Sequence, residues 1–256
     1  MVGLRLGPAA VSALRLGSAN VSKAYVGSTL VWPVAIETFP SIVTTNTEIG
    51  TSLGSNNPIP APSGVVAGNL LIAVGLNDNP STTNLSASTG WTQVIAATHT
   101  LSTAIKMAVF ARVADGSASD ALSLSGASQD YCAAIARITD HSVSNVAADI
   151  KSASAQSTVG GTNLNPPSLD AGASRKWLWL AAAGVDTTAG NISWTSMPTG
   201  YTQTVTPLQS ANTASSCSMG MASRQLETQT EDPVNFVISQ SLHWLALTLA
   251  IPPAPA

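Results

Sequence analysis

Apolar and polar positions alternate with a period of two through much of this chain. In "AIKMAVFARVA" (104–114), Ile105, Met107, Val109 and Val113 fall on one face, and Lys106, Phe110 and Arg112 fall on the other. That spacing predicts a β-strand with one buried face. Two further stretches, "NLLIAVG" (69–75) and "WLWLAAA" (177–183), are apolar on both faces and predict strands at the centre of a sheet. Gly and Pro, 19 and 15 in number, punctuate the pattern throughout, as expected for short strands joined by tight turns.

The first 33 residues carry a shorter rhythm. Read in tens from Leu4, the chain gives LRLGPAAVSA, LRLGSANVSK and AYVGSTLVW. Gly7, Gly17 and Gly27 share one column, Leu6, Leu16 and Val26 a second, and Val11, Val21 and Val31 a third. Ten residues are enough for one short strand and one turn, and Gly tolerates the positive φ of a tight turn. Residues 1–33 are therefore expected to form a small β-repeat module. A repeat of this kind cannot bury its apolar side alone, so the module must pack against other surface.

Residues 34–64, with Pro40, Pro58, Pro60 and Pro62, read as an edge strand ("ETFPSIVTTN") followed by a Pro/Gly/Asn-rich linker. The main domain is expected over 65–252, with 253–256 a Pro/Ala tail. Within the main domain a longer period appears. "GNLLIAVGLND" (68–78) matches "RKWLWLAAAGVD" (175–186), "GWTQV" (90–94) matches "GYTQT" (200–204), and "KMAVFARVADG" (106–116) matches "SMGMASRQLET" (218–228), which sets Arg112 against Arg224. "YCAAIARITD" (131–140) then matches "HWLALTLAIP" (243–252). The order is preserved, which indicates an internal duplication. Four or five strands per half make eight to ten in all, so the expected fold is all-β: an antiparallel jelly-roll-like β-sandwich with an internal duplication, preceded by the N-terminal module.

Composition narrows the function classes. Only 9% of the 256 residues are charged and the net charge is −3, which excludes the clustered Lys and Arg of a nucleic-acid surface. A hydrophobic share of 45% excludes a disordered chain. The longest apolar runs, 177–185 and 242–251, fall well short of the roughly 20 residues of a membrane-spanning helix. Arg5 and Arg15 interrupt what would be the apolar core of a signal peptide. Cys132 and Cys217 sit in apolar or small-residue strand contexts and read as buried free thiols, with a disulfide as the lesser alternative.

The chemistry-bearing residues form no enzyme signature. His99, His141 and His243 are far apart in sequence and lack i, i+4 spacing, so no histidine metal site is expected. There is no G-x-S-x-G elbow, P-loop or convincing G-x-G-x-x-G. Asp78, Asp115, Asp140 and Asp186 sit at strand ends, where Asp usually makes turn hydrogen bonds. Asp78 with Asn79 has too few oxygen ligands to make a convincing calcium site. No catalytic residue, cofactor or metal is therefore expected. Trp91 and Tyr201 fill equivalent slots in the two halves. They are the candidate glycan contacts, although an aromatic plug in each half of the core is the favoured reading.

The phrase "LGSANVSKAYVGSTLVW" resembles the short N-terminal module of many tailed-bacteriophage virion proteins, of the type LGS-x-x-V-x-x-x-Y-x-G-S-x-x-V-W. The resemblance covers residues 4–33. More weakly, 68–252 is similar to sandwich domains of phage appendages and bacterial surface proteins. The resemblance implies a non-enzymatic virion structural protein, made in the host cytoplasm and carried on the virion surface. The favoured class is a tail-fibre, tail-tip or spike appendage docked through its N-terminal module, with host glycans as outward-facing partners. The alternatives are a capsid decoration or cement protein and, last, a polysaccharide depolymerase. Expected partners are other virion proteins and further copies of the chain, most simply in a trimer, but neither nucleic acid nor membrane. Leu16, Tyr25, Val31 and Trp32 are the expected docking contacts, with Arg5, Arg15 and Lys23 at the rim.

Overall fold

The two stretches that are apolar on both faces lie in the middle of two five-stranded antiparallel sheets. The computed structural model describes residues 37–78, 83–99, 105–187, 190–211 and 216–255, together with four short strands in the first 36 residues. The chain divides into two compact units, Met1–Ile36 and Glu37–Pro255. In the first unit, β1 (Arg15–Leu16) pairs antiparallel with β2 (Ala19–Asn20), and β3 (Ala24–Val26) pairs with β4 (Thr29–Trp32). The two residues between the paired Leu16 and Ala19 are Gly17 and Ser18, and those between Val26 and Thr29 are Gly27 and Ser28.

The second unit contains the same eight-stranded arrangement twice. The first repeat comprises β5 (Ser41–Gly50), β6 (Asn57–Ile59), β7 (Leu70–Asp78), β8 (Ser86–Ala87), β9 (Thr92–Thr98), β10 (Ile105–Val113), β11 (Leu122–Ser125) and β12 (Tyr131–Thr139). A single helical turn, α1 (Val146–Asp149), leads into the second. That repeat comprises β13 (Lys151–Gln156), β14 (Gly161–Leu164), β15 (Leu169–Thr187), β16 (Trp194–Ser196), β17 (Thr202–Gln209), β18 (Ser216–Glu231), β19 (Phe236–Leu242) and β20 (Trp244–Ile251). One sheet runs β5-β12-β7-β10-β9 and its counterpart β13-β20-β15-β18-β17; the smaller sheets run β6-β11-β8 and β14-β19-β16. Counted within either repeat, strand one pairs with eight, two with seven and three with six. These are the pairings of a long hairpin folded over on itself, except that strands four and five each pair elsewhere: β8 with β11 and β9 with β10.

Side-chain alternation explains the layering. Along β7, Leu70, Ile72, Val74 and Leu76 point to one interior, while Leu71 and Ala73 point to another. Along β15, Leu178, Leu180 and Ala182 share the first interior, and Ala181, Ala183 and Val185 face a third. The shared interior lies between the two five-stranded sheets. Each smaller sheet covers the outer face of its own large sheet. Strands buried on both faces carry apolar residues at every position, which is the pattern that "NLLIAVG" and "WLWLAAA" display.

The large sheets stack in reversed order, so β5 faces β17 and β9 faces β13. Because β5 corresponds to β13 and β9 to β17, the two contacts are equivalent, as in a two-fold dimer joined into one chain. Register gives the residue equivalences. Leu76 pairs with Met107 in the first repeat, and Gly184 pairs with Met219 in the second, so Leu76 and Gly184 occupy the same position. They also meet: a Cβ on Gly184 would stand 2.7 Å from both the Leu76 methyls and the Met107 methyl. Two leucines would collide at this contact, and the second copy has glycine instead. Gly184→Leu should therefore cost about 1–3 kcal/mol from overpacking, and adding Leu76→Ala should recover most of that loss in urea melts. A double variant no more stable than the single would show that the two positions do not share this space.

Four expectations change. The halves do not share one sandwich of eight to ten strands; each is a two-layer sandwich of its own. The missing strands, among them β6, β8 and β16, are two or three residues long and leave no periodic trace. The second unit begins at Glu37 rather than near Gly64, because "SIVTTNTEIG" is a ten-residue strand paired along its length with β12. It lies at the sheet edge, as an edge strand should. The Pro/Ala tail is also part of the fold: Pro253 bridges to His141, and Ala254 bridges to Thr38. Finally, β10 is buried on both faces rather than one, since Lys106 is 4% exposed and Phe110 2%.

Candidate functional site

The most conspicuous arrangement of polar side chains in the second unit occurs twice. In each repeat a turn ending in Gly precedes the fifth strand, and an arginine from the sixth strand stands over it. Gly90 has φ +92°, and Gly200 has φ +80°, conformations that glycine adopts without strain. The next residue's N–H closes the turn, Trp91 to the Ser88 carbonyl at 3.2 Å and Tyr201 to the Pro198 carbonyl at 3.0 Å. Arg112 and Arg224 lie against these glycines, so a Cβ at Gly90 would meet the Arg112 Nη1.

Each guanidinium is held by acids from its own repeat. The Arg112 Nε donates to Asp120 at 2.8 Å, and its Nη2 donates to Asp115 at 2.7 Å and to the Ser119 hydroxyl at 2.8 Å. Asp120 also accepts from the Gly116 and Asp115 N–H groups. Arg224 donates to Glu231 at 3.2 Å. Beside each arginine runs an open groove. One, of about 440 Å³, has Gly200, Thr202 and Arg224 on one wall and Ser41 and Ile42 on the other. Its counterpart, of about 520 Å³, sets Gly90, Thr92 and Arg112 against Ser144 to Val146. Both grooves are lined by hydroxyls, amides and arginines already engaged with carboxylates. The pair acts as a brace between the turn and the sixth strand.

Trp91 and Tyr201 are equivalent, as their sequence slots suggest, and both rings pack against the interior of their repeat. Trp91 is 8% exposed, packs with Leu71, Phe110 and Leu122, and donates its indole N–H to the Ala121 carbonyl at 3.4 Å. Tyr201 is half-buried against two apolar clusters, and burial, with Glu231 adjoining, pushes its hydroxyl well above the usual tyrosine range. Each ring closes its repeat's interior, which is why an aromatic stands at both places.

Of the expected docking residues, Arg15 and Leu16 are on β1, Tyr25 is on β3, and Val31 and Trp32 are on β4, with Tyr25 opposite Leu30 and Trp32 opposite Ala24. Arg5 and Lys23 lie outside the described residues, as do Leu6, Val11, Val21 and Asn79.

The fold also gathers groups that sequence spacing left apart. The His99 and His243 rings lie 4.9 Å apart, and the His99 Nε2 is 2.9 Å from the Ser157 carbonyl oxygen. The His141 Nδ1 accepts from the Val143 N–H at 3.1 Å, so its Nε2–H donates to the Gly68 carbonyl at 3.0 Å; burial lowers its pKa from 6.5. At one end of β7, burial, followed by the neighbouring Asp130 carboxylate, raises the Asp78 pKa from 3.8 to about 6. Asp130 itself accepts from the Ser210 hydroxyl of the second repeat at 2.9 Å. Burial likewise lowers the Lys106 pKa, and its ammonium donates to the Thr83 carbonyl at 2.6 Å. Among the described residues no three His, Cys, Asp or Glu side chains come together as metal ligands. No helix among them is long and apolar enough to cross a membrane.

No protein-family model, curated protein or solved structure matches the chain.

Proposed function

We propose that the chain is a non-enzymatic structural protein of a tailed-bacteriophage virion. In this reading it is a surface appendage whose N-terminal unit docks on the particle and whose double sandwich faces outward. The observation that carries the proposal is the separate compact unit Met1–Ile36, in which paired strands coincide with the repeated phrase. Its sequence resembles the N-terminal modules of phage virion proteins. A unit of about 36 residues buries too little surface to be stable alone, so it needs a surface to cover it. Self-association, most simply as a trimer, or a seat on a larger virion protein would supply that surface. The double sandwich suits a passive, exposed role: its interior is continuous across the two repeats, and its acids and arginines brace turns.

Deletion of residues 1–36 tests this reading. The truncated chain should remain soluble, with the unfolding transition of the sandwich unchanged, and be missing from particles assembled in a host lacking the full-length protein. Incorporation at normal copy number would rule out the docking role. Labelling the full-length chain and locating it by electron microscopy separates a tail appendage from a capsid decoration protein. A particle that carries the label on its head shell would favour the latter.

A further inference from the structure

Cys132 comes from β12 of the first repeat and Cys217 from β18 of the second, and their Sγ atoms lie 3.7 Å apart. Both side chains are fully buried in the interior shared by the two large sheets. The Cys132 thiol donates to the main-chain carbonyl of Cys217 at 3.3 Å, and the Cys217 thiol lies 4.0 Å from the carbonyl oxygen of Leu76. A side chain as short as cysteine reaches the opposite main chain only where two sheets approach closely.

The duplication shows that thiols are not needed to fill this space. Met107 and Met219 are equivalent, so Cys217 corresponds to Ile105; Leu76 and Gly184 are equivalent, so their partners Cys132 and Leu245 correspond. The position pair that holds Ile105 and Leu245 in one setting therefore holds two thiols in the other. An aliphatic pair serves for packing alone, whereas two sulfurs in contact can also react.

We propose that Cys132 and Cys217 are a latent disulfide site that locks the first sandwich to the second when the chain meets an oxidant. The oxidant is a small-molecule disulfide. One cysteine thiolate attacks it and releases one small thiol, and the second cysteine displaces the other small thiol from the mixed disulfide. The protein gains one S–S bond and loses two hydrogens, while the small disulfide is reduced to two thiols. A disulfide S–S bond is about 2.05 Å long, so rotation of the two side chains and a slight approach of the sheets complete it. Burial holds the Cys132 thiol protonated and keeps reagents out while the interface is closed. The exchange therefore occurs as the repeats come together during folding, or when the interface opens under mild denaturant. The pair's chemistry does not depend on how residues 1–36 dock.

The test incubates the full-length chain with oxidised glutathione in sub-denaturing urea and then returns it to buffer. The expected product is a monomer lighter by two hydrogens, with Cys132 and Cys217 peptides linked in a non-reducing digest. Its melting temperature should rise by about 5–10 °C, because the cross-link closes a loop of 85 residues. Dithiothreitol should reverse the rise, and neither Cys132→Ala nor Cys217→Ala should show it. Should an alanine variant fold poorly, Cys217→Val, which restores a branched apolar side chain, supplies the control. Two glutathione adducts, disulfide-linked dimers, an unreacted chain after full unfolding and refolding with the oxidant, or a cross-linked product of lower melting temperature would each overturn the proposal.

Discussion

Asp120→Ala should destabilise the second unit by about 3–5 kcal/mol, whereas the equivalent change, Glu231→Ala, should cost only about 1 kcal/mol. The two acids hold corresponding arginines, but in different surroundings. The Arg112 side chain is 10% exposed and that of Asp120 is 3% exposed, and Asp120 also takes the Gly116 N–H at 2.9 Å. Its removal leaves a charge and main-chain donors buried with fewer partners. Arg224 is 33% exposed and meets Glu231 at 3.2 Å, so water can replace the lost carboxylate. Urea unfolding midpoints with unchanged slope measure both losses. Replacing Arg112 and Asp120 together with apolar residues of similar size should recover much of the first loss, since the penalty comes from a buried charge that has lost its buried carboxylate and keeps only the exposed Asp115. Equal losses in the two repeats would show that burial does not set the strength of these braces.

Those braces also mark how far the sequence could be read. The match between "GWTQV" and "GYTQT" located a turn that the structure repeats down to its positive-φ glycine, and the Arg112/Arg224 pairing located the brace above it. Both were legible because they depend on local backbone and nearby side chains. The count of sheets was not. A two-residue strand such as β8 is defined by its partner β11, and nothing within "SA" encodes that partner. The alternation in "AIKMAVFARVA" suggested one buried face because Lys106 and Arg112 share the other. The structure buries that face too, with the cations reaching out at the strand ends to the Thr83 carbonyl and to Asp115 and Asp120. The contacts between repeats were the least legible. Cys132 with Cys217, His99 with His243 and Leu76 with Gly184 meet only because one sheet stacks on the other in reversed order. A sequence comparison that aligns the halves sees the matching strands but not the two-fold contact that joins them, and its last match is one residue out of register: strand pairing sets Cys132 against Leu245, not Trp244.

Asp78→Asn should raise stability above pH 7 and leave it unchanged near pH 4. The folded chain holds the Asp78 carboxyl at a pKa of about 6, against 3.8 when exposed, because its site is buried and the Asp130 carboxylate is near. Between those values the folded state binds more protons than the unfolded state, so stability falls as pH rises through the interval. Above it, the whole penalty of an ionised, buried Asp78 applies, about 2–3 kcal/mol at roughly 1.4 kcal/mol per pH unit. Asparagine has nearly the same shape and no charge, and it removes that penalty. His141 acts in the opposite sense. Its lowered pKa means that stability is fully present above 6.5 and is lost as pH falls towards its folded value. In the native sequence the two slopes oppose one another and flatten the profile. In Asp78→Asn the histidine slope is no longer opposed, and the lowered Glu37 carboxyl adds to it at the acid end, so stability should rise from pH 4 to pH 7 and then level off. Urea melts of both proteins across this range measure the difference. A constant gap between the two curves would mean that Asp78 does not titrate in this window.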